Sequence, residues 1–498
     1  MAFMFAFILN HIYDSEEFRN IKMRLFLEDI MWLWINWWWA VWQLRPACGR
    51  LRTFLWLAVC LAGMGIREDL FGVTSIIRVI GLKAECYDRL LDFFHSPALD
   101  PNRLAQVWTA LIIKIHPGIL RINGRIVLVG DGLKVPKTGK KMPAVKLLHQ
   151  ESDNHTKPEY IRGHSCQAVA ILTTALKSHF AVPLCARIHD GLVVSRKYRS
   201  LLEKMLELTR NLRIAVPFYF IADTYYAGRK FIRGLLADGN HLISRVKSNA
   251  VAYLPLTEDV PTHKNRRGRP KTYGQKVKLR IFLNDPGKMQ SAPSPIYGET
   301  KAIIQFLQMD LLWRPVGILV RFVAVLHPTR GFIILMTTDL TLAPLEIIRL
   351  YGLRFKIELS FKQALHTIGV YAYHFWSAKM MPLVRSSGNQ SLLFQPMKYR
   401  QAILRKLNAY HRHIQVGIIA QGLLQYLASA FPALVWSSFG SWIRTIRPNL
   451  PPSEMVTARA LRNSFPYFLA GCSNINILAK FIGNRFDSSR SNPLTLTG

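Results

Sequence analysis

Three carboxylates in this sequence stand where an acidic side chain calls for a reason. Asp131 follows the short apolar run Ile126–Val129 in RIVLVGDGLKVPK, and Asp223 follows PFYFIA, which begins at Pro217. Each run reads as a strand buried on both faces. The third, Glu358, lies in YGLRFKIELSFK, where Tyr351, Arg354, Glu358 and Lys362 recur at steps of three and four. Those steps set all four on one face of a helix. Singly, each carboxylate has an ordinary reading: an Asp in the turn after a strand, or a helix ion pair of Glu358 with Arg354 and Lys362. Together they form a set of hard oxygen donors, which favours Mg²⁺ or Mn²⁺ over Zn²⁺. Two carboxylates about 4 Å apart repel by ~4 kcal/mol at an effective dielectric of about 20, so three that converge need a cation. Two such ions would clamp the attacking and leaving oxygens of an in-line phosphodiester displacement.

The elements that must position these groups follow from pattern. Gly130 reads as the end of the first strand. Further strands are expected at Gln167–Thr174 and Phe180–Ile188, a helix at Leu201–Leu212, and a second helix at Arg229–Ala237 stopped by Gly239. From 241 to 340 the texture is β-rich, with runs at Leu242–Val246, Val277–Phe282, Val316–Leu326 and Phe332–Thr337. Pro344 then starts a helix, with Thr341 as its cap, and Gly369 ends it. The expected organisation is an aromatic-rich extension over 1–50, a helical region with DNA-binding potential over 51–118, and the first part of an α/β core over 119–240. A β-rich insertion over 241–340, the helix completing the core over 341–380 and a helical C-terminal region over 381–498 follow. Within that last region, helical patterns stand out at Gln401–Leu407 and Val416–Leu427.

Composition narrows the partners. The 498 residues include 65 Lys+Arg against 30 Asp+Glu, a formal charge of +35 spread along the whole chain. Such an excess points to a polyanion, with nucleic acid ahead of an anionic membrane surface. Half of the residues are hydrophobic, which excludes disorder over most of the length. Six cysteines are scattered with no Cys-x-x-Cys pair, which disfavours zinc-ribbon and disulfide scaffolds and fits a reducing cytoplasm. The tryptophan-rich run Ile30–Leu44 is shorter than the ~20 residues of a spanning helix and reads as an interfacial or packed helix.

Other constellations fail on spacing. Gly132 to Lys141 mimics a phosphate loop, but Gly139 lies too far from Gly132, and Lys141 stands where Ser or Thr is required. Ser165 in GHSCQ lacks the second glycine of a nucleophile elbow. His411 and His413 have no acidic or cysteine neighbours and are expected at the surface. Asp190, in RIHDG, is the rival to Asp223, but its preceding strand is less apolar.

Taken together, GDG at Asp131, IADTYYAG at Asp223 and the Tyr-x-x-Arg-x-x-x-Glu helix resemble the DDE transposases of bacterial insertion sequences. The resemblance is to the branch with a Tyr-Arg-Glu-Lys helix and a β-rich insertion, and it runs from about Arg125 to Trp376. It implies an RNase H-like core, two Mg²⁺ or Mn²⁺ ions held by Asp131, Asp223 and Glu358, and cut-and-paste chemistry on double-stranded DNA by a homodimer. Tyr351 and Arg354 match positions that contact DNA near the cleaved end. The family lysine, seven residues after the glutamate, is Leu365 here, with Lys362 one turn earlier on the same face. Arg267-Gly268-Arg269-Pro270 resembles the core of an AT-hook, whose arginines enter a narrow minor groove. Trp376 is the expected stacking surface for a base flipped near the cleaved end. The alternatives are an RNase H-like nuclease that cuts without joining, and a basic DNA-binding or membrane-surface protein without catalysis.

Overall fold

The apolar runs before Asp131 and Asp223 become neighbouring parallel strands at the centre of one mixed sheet. The computed structural model describes residues 31–150, 158–197, 199–256, 272–284, 286–440, 445–472 and 475–489. Five core strands are β1 (Arg125–Pro136), β2 (Tyr160–Ala175), β3 (Ser178–Ile188), β4 (Phe218–Ala222) and β5 (His241–Val246). Strands β1, β2 and β3 are antiparallel neighbours, whereas β4 lies parallel to β1 and β5 parallel to β4. The order 3-2-1-4-5 is that of the expected RNase H-like core.

Two boundaries differ from expectation. Strand β1 does not stop at Gly130 but runs through Asp131 to Pro136, paired with β2 along the way. Gly130 answers a need for space, because a Cβ there would lie 2.2 Å from the ring of fully buried Phe220. Gly130→Ala is therefore expected to lower stability by roughly 1–3 kcal/mol in chemical denaturation. The run expected to open the insertion, Leu242–Val246, is the fifth core strand itself.

The inserted strands extend the same sheet. They are β6 (Val251–Tyr253), β7 (Lys276–Lys278), β8 (Gln290–Pro293), β9 (Ile303–Trp313), β10 (Ile318–His327) and β11 (Gly331–Thr337). Strand β11 pairs antiparallel with β5, and β10 and β9 continue outward from it. The open edge of β5 is thus covered rather than left to pair with another chain. The expected strand Val277–Phe282 is extended only to Lys278. Buried Leu279 donates its N–H to Ala250 O (3.0 Å), and a 3₁₀ turn over Leu279–Asn284 follows.

Helices cover both faces. On one face, Ile126, Leu128 and Phe220 pack in a large cluster with helices α1 (Leu51–Ile66), α2 (Val73–Ile80), α3 (Cys86–His95), α4 (Pro101–Ile115), α5 (Leu201–Asn211) and α6 (Arg229–Ala237). On the other, Val127, Val129, Tyr219 and Ile221 meet Ile347, Ile348, Leu350, Leu353 and Ile357. Those five belong to the helical run made of α7 (Pro344–Gly352), a 3₁₀ turn (Leu353–Phe355) and α8 (Lys356–Gln363). A π turn over Ala364–Ile368 follows, and Gly369 at φ 66° ends the run as expected. Pro344 is the first helical residue, but the cap is Ala343 rather than Thr341, whose hydroxyl donates to Asp339 Oδ1 (2.7 Å).

The expected pair of C-terminal helices is one, α9 (Met397–Ala430). Two of its buried polar residues bond to distant segments: Arg412 donates to Leu99 O (2.6 Å), and Gln415 to Leu184 O (3.0 Å). His413, expected at the surface, is fully buried, with Nδ1 3.0 Å from Val370 O and its ring against Phe94, Tyr373 and Phe375. Residues 31–42 are helical, and Trp34 donates to Leu461 O (3.0 Å) of α11 (Glu454–Cys472), which α10 (Pro432–Phe439) precedes. No single helix among the described residues is long and apolar enough to cross a membrane.

Buried histidines give this fold an acid limit. Burial pushes His164 down to about 3 and His116 down to about 4, against the ordinary 6.5. The folded chain then binds fewer protons than the unfolded chain below about pH 6.5, so stability falls with acidification. Each should remove about 2 kcal/mol by about pH 5, read as a falling denaturation midpoint between about pH 7 and pH 5.

Candidate active site

Side-chain alternation brings two of the three carboxylates to one place. Val127 and Val129 face the α7–α8 run, so Asp131, two residues on along β1, faces it too. Tyr219 and Ile221 share that face of β4, and Asp223 continues their parity. The parallel register sets Val127 beside Tyr219 and Val129 beside Ile221, so the next step of two aligns Asp131 with Asp223. Asp223 itself caps a 3₁₀ turn, its Oδ1 accepting from Tyr225 N–H (3.1 Å), and Ser244 Oγ on β5 donates to its carbonyl (2.8 Å).

Arg354 joins the helix to the sheet. Its Nη1 donates to Asp131 Oδ2 (2.8 Å) and its Nη2 to Glu358 Oε1 (2.5 Å). Asp131 and Glu358, far apart in sequence, thus share one guanidinium. Asp131 Oδ1 also accepts from Gly132 N–H (2.7 Å). Burial pushes the Asp131 carboxyl up to about 6, with the charges of Asp223 and Glu358 adding to the rise and Arg354 and the Gly132 N–H opposing it.

The expected direct cluster is looser than three metal-held carboxylates. Among the described residues, no three His, Cys, Asp or Glu side chains are gathered closely enough to hold one ion. The physical reason is like-charge repulsion, relieved here by the Arg354 cation between Asp131 and Glu358. The donor set still fits a divalent cation. All three groups are carboxylates, hard oxygen donors, and the charges of Asp223 and Glu358 both reach Asp131, a negative field that a hard cation would offset.

Other expected residues fall around this centre. Tyr351 is largely buried, and both Asp223 and Arg245 act on its hydroxyl. Lys362 is exposed, one turn beyond Glu358 in α8. Trp376 is 65% exposed on the segment after the helical run. Arg267 and Arg269 lie outside the described residues. The rival Asp190 is taken by Lys146, 2.6 Å away, and by Gly191 N–H.

Sequence reasoning passed over Tyr226, Gln167 and Arg245. Tyr226 is buried, its hydroxyl accepts from Gln167 Nε2 (3.0 Å), and burial raises its pKa, with the charges of Asp131 and Asp223 adding to the rise. It sits in the quoted IADTYYAG, three residues after Asp223, so its place was visible there. Gln167 and Arg245 carry no local signal, since only the pairing of β2 with β1 and of β5 with β4 brings them in.

With this geometry in view, the comparisons give the class. Residues 130–369 match the family model described as the transposase DDE domain. The matched span holds all three carboxylates together with Tyr351, Arg354 and Lys362. Among solved structures, the cryo-EM structure of the piggyBac transposase synaptic complex with hairpin DNA is similar at 11% identity and a TM-score of 0.34. The likeness covers 91% of this chain and 80% of that one. No curated protein matches the chain.

Proposed function

We propose that this transposase cuts DNA at the ends of an insertion sequence and joins the freed 3′-hydroxyl to target DNA. The observation that carries the reading is the bridge from Asp131 through Arg354 to Glu358, beside Asp223 at the end of the central strands. Asp131, Asp223 and Glu358 would hold Mg²⁺ or Mn²⁺, two ions in all. When bound, they supply charge stabilisation at the phosphoryl oxygens and make water or a 3′-hydroxyl a stronger nucleophile.

The chain's own groups do the positioning. Asp131 on β1 and Asp223 just past the end of the adjacent β4 would fix where the reacting phosphate sits. Arg354 is placed to pass from the carboxylates to a phosphodiester oxygen, a bidentate exchange that its planar fork favours. Tyr351 and exposed Lys362 would contact the strand near the cut, and Lys362 would stand in for the absent lysine at Leu365. Trp376 offers a free indole face for a displaced base. Arg267 and Arg269 would add minor-groove contacts. A homodimer would hold two ends together.

The excess of +35 predicts binding to duplex DNA that weakens steeply with salt. To separate cutting from joining, the full chain is incubated with Mg²⁺, a fragment carrying the repeats that flank its gene, and a circular target. Joined products are expected. Cleaved ends that never join would favour the nuclease alternative instead.

A further inference from the structure

Beyond the carboxylates, the far end of β1 opens into a cleft of which the proposed chemistry uses only Trp376. Two adjoining cavities of about 830 and 550 Å³ share Pro136, Lys137, Thr138, Lys140 and Pro382. Arg162 and Arg385 line the larger, and Lys141 and Trp376 the smaller; no Asp or Glu lines either. This is unlike much of the surface, where arginines have carboxylate partners, as in Arg78–Asp69, Arg210–Asp238 and Arg321–Asp310.

The cleft is held firmly. Ser377 N–H donates to Lys141 O (2.9 Å) and Leu383 N–H to Lys140 O (2.8 Å), which fastens the two walls together. Arg162 donates to Thr138 O (2.9 Å) and Gly139 O (3.2 Å). Buried Lys137 donates to Tyr371 O (2.5 Å) and Tyr373 O (3.1 Å). Two cations thus shape the loop, while Lys140 and Arg385 stay exposed. Arg162 and Arg385 line the same cavity, and partial burial, with the Arg385 charge adding, disfavours the charge on Arg162. Beside them, Trp376 is 65% exposed and Val384 71%. Cations interleaved with exposed apolar groups suit a nucleotide strand, its phosphates on the former and its bases on the latter.

We propose that this cleft holds the phosphodiester backbone of one DNA strand about five nucleotides from the bond that is cut. The distance follows from taking the DNA strand to run along β1 from Asp131 to the cleft. Five residues separate Asp131 from Pro136, about 17 Å of strand. A DNA strand advances about 3.4 Å per nucleotide. The inference rests on the transposase reading, and its test separates the two.

Binding of the full chain to a fluorescein-labelled linear duplex is measured across a salt series. The double variant K140Q/R385Q should lower the log–log salt slope by about 2, at ~0.9 per lost phosphate contact. K114Q/R121Q removes two exposed charges, Arg121 beside the opposite end of β1 and Lys114 in the last turn of α4, and should leave the slope unchanged. An unaltered slope in K140Q/R385Q, or an equal fall in the control, overturns the cleft. Position is read separately. All six native cysteines are buried, so an iron chelate on Lys140→Cys attaches at that one site. Its cuts should centre about five nucleotides from the enzyme's own cut. Cuts without a fixed offset overturn the assignment. A wild-type chain that neither binds nor cuts DNA would instead remove the transposase reading, and the cleft with it.

Discussion

Asp131→Asn, Asp223→Asn and Glu358→Gln should each lower DNA cleavage by about 10³-fold or more, because each removes a charge the phosphoryl chemistry depends on. The amides keep the shape of the carboxyl groups, so the sheet and the helical run should survive. DNA affinity should hold or rise, since removing an acid from a chain of formal charge +35 reduces repulsion of phosphate. Losing the Asp131 or Glu358 carboxylate also frees one arm of Arg354. Cleavage and binding are therefore measured on the same preparations, with the denaturation midpoint as a check on folding. Cleavage that survived in all three variants would leave the carboxylates structural and favour the non-catalytic alternative.

The largest loss of stability is expected away from the carboxylates, at Arg67. This guanidinium is only 3% exposed. It donates to Ile368 O (2.7 and 3.2 Å) and Gly369 O (2.9 Å), where the helical run bearing Glu358 ends. On its other side it donates to Gly72 O (3.0 Å) and Ser75 Oγ (3.1 Å) at the start of α2. A cation at a helix C-terminus satisfies carbonyls that otherwise lack partners. Burial lowers Arg67 to about 10, so it stays charged at neutral pH. Arg67→Ala leaves several buried acceptors unpaired and should lower stability by about 3 kcal/mol or more. Arg67→Lys keeps the charge but cannot reach all four acceptors, and should fall between. Urea denaturation measures both, and equal midpoints for wild type and Arg67→Ala would contradict this role.

Legibility in the sequence followed the range of the interactions. PFYFIA and Asp223 were readable because a fully buried strand followed by a capped turn is a local pattern. Asp131 was readable as a residue, but the course of β1 was not. Gly130 has the look of a breaker, and only the ring of Phe220, which on β4 is paired with Leu128 and reaches over Gly130, shows that it marks a tight fit. The Arg354–Glu358 pair followed from a step of four, whereas its link to Asp131 depends on the helix packing over Val127 and Val129. The burial of His413 has no local signal for the same reason, since its neighbours Val370, Phe94, Tyr373 and Phe375 all come from other segments. The core order was implied by family resemblance, while the merging of the insertion into the same sheet appears only in the pairing of β11 with β5.

The most direct test is calorimetric titration of Mn²⁺ into the full-length chain without DNA. Saturable uptake by the wild type is expected, weakened at least about tenfold by Asp131→Asn and by Glu358→Gln alike, because ligands from the sheet and from the helix would serve the same ions. Equal affinity in the wild type and both variants would contradict a shared centre.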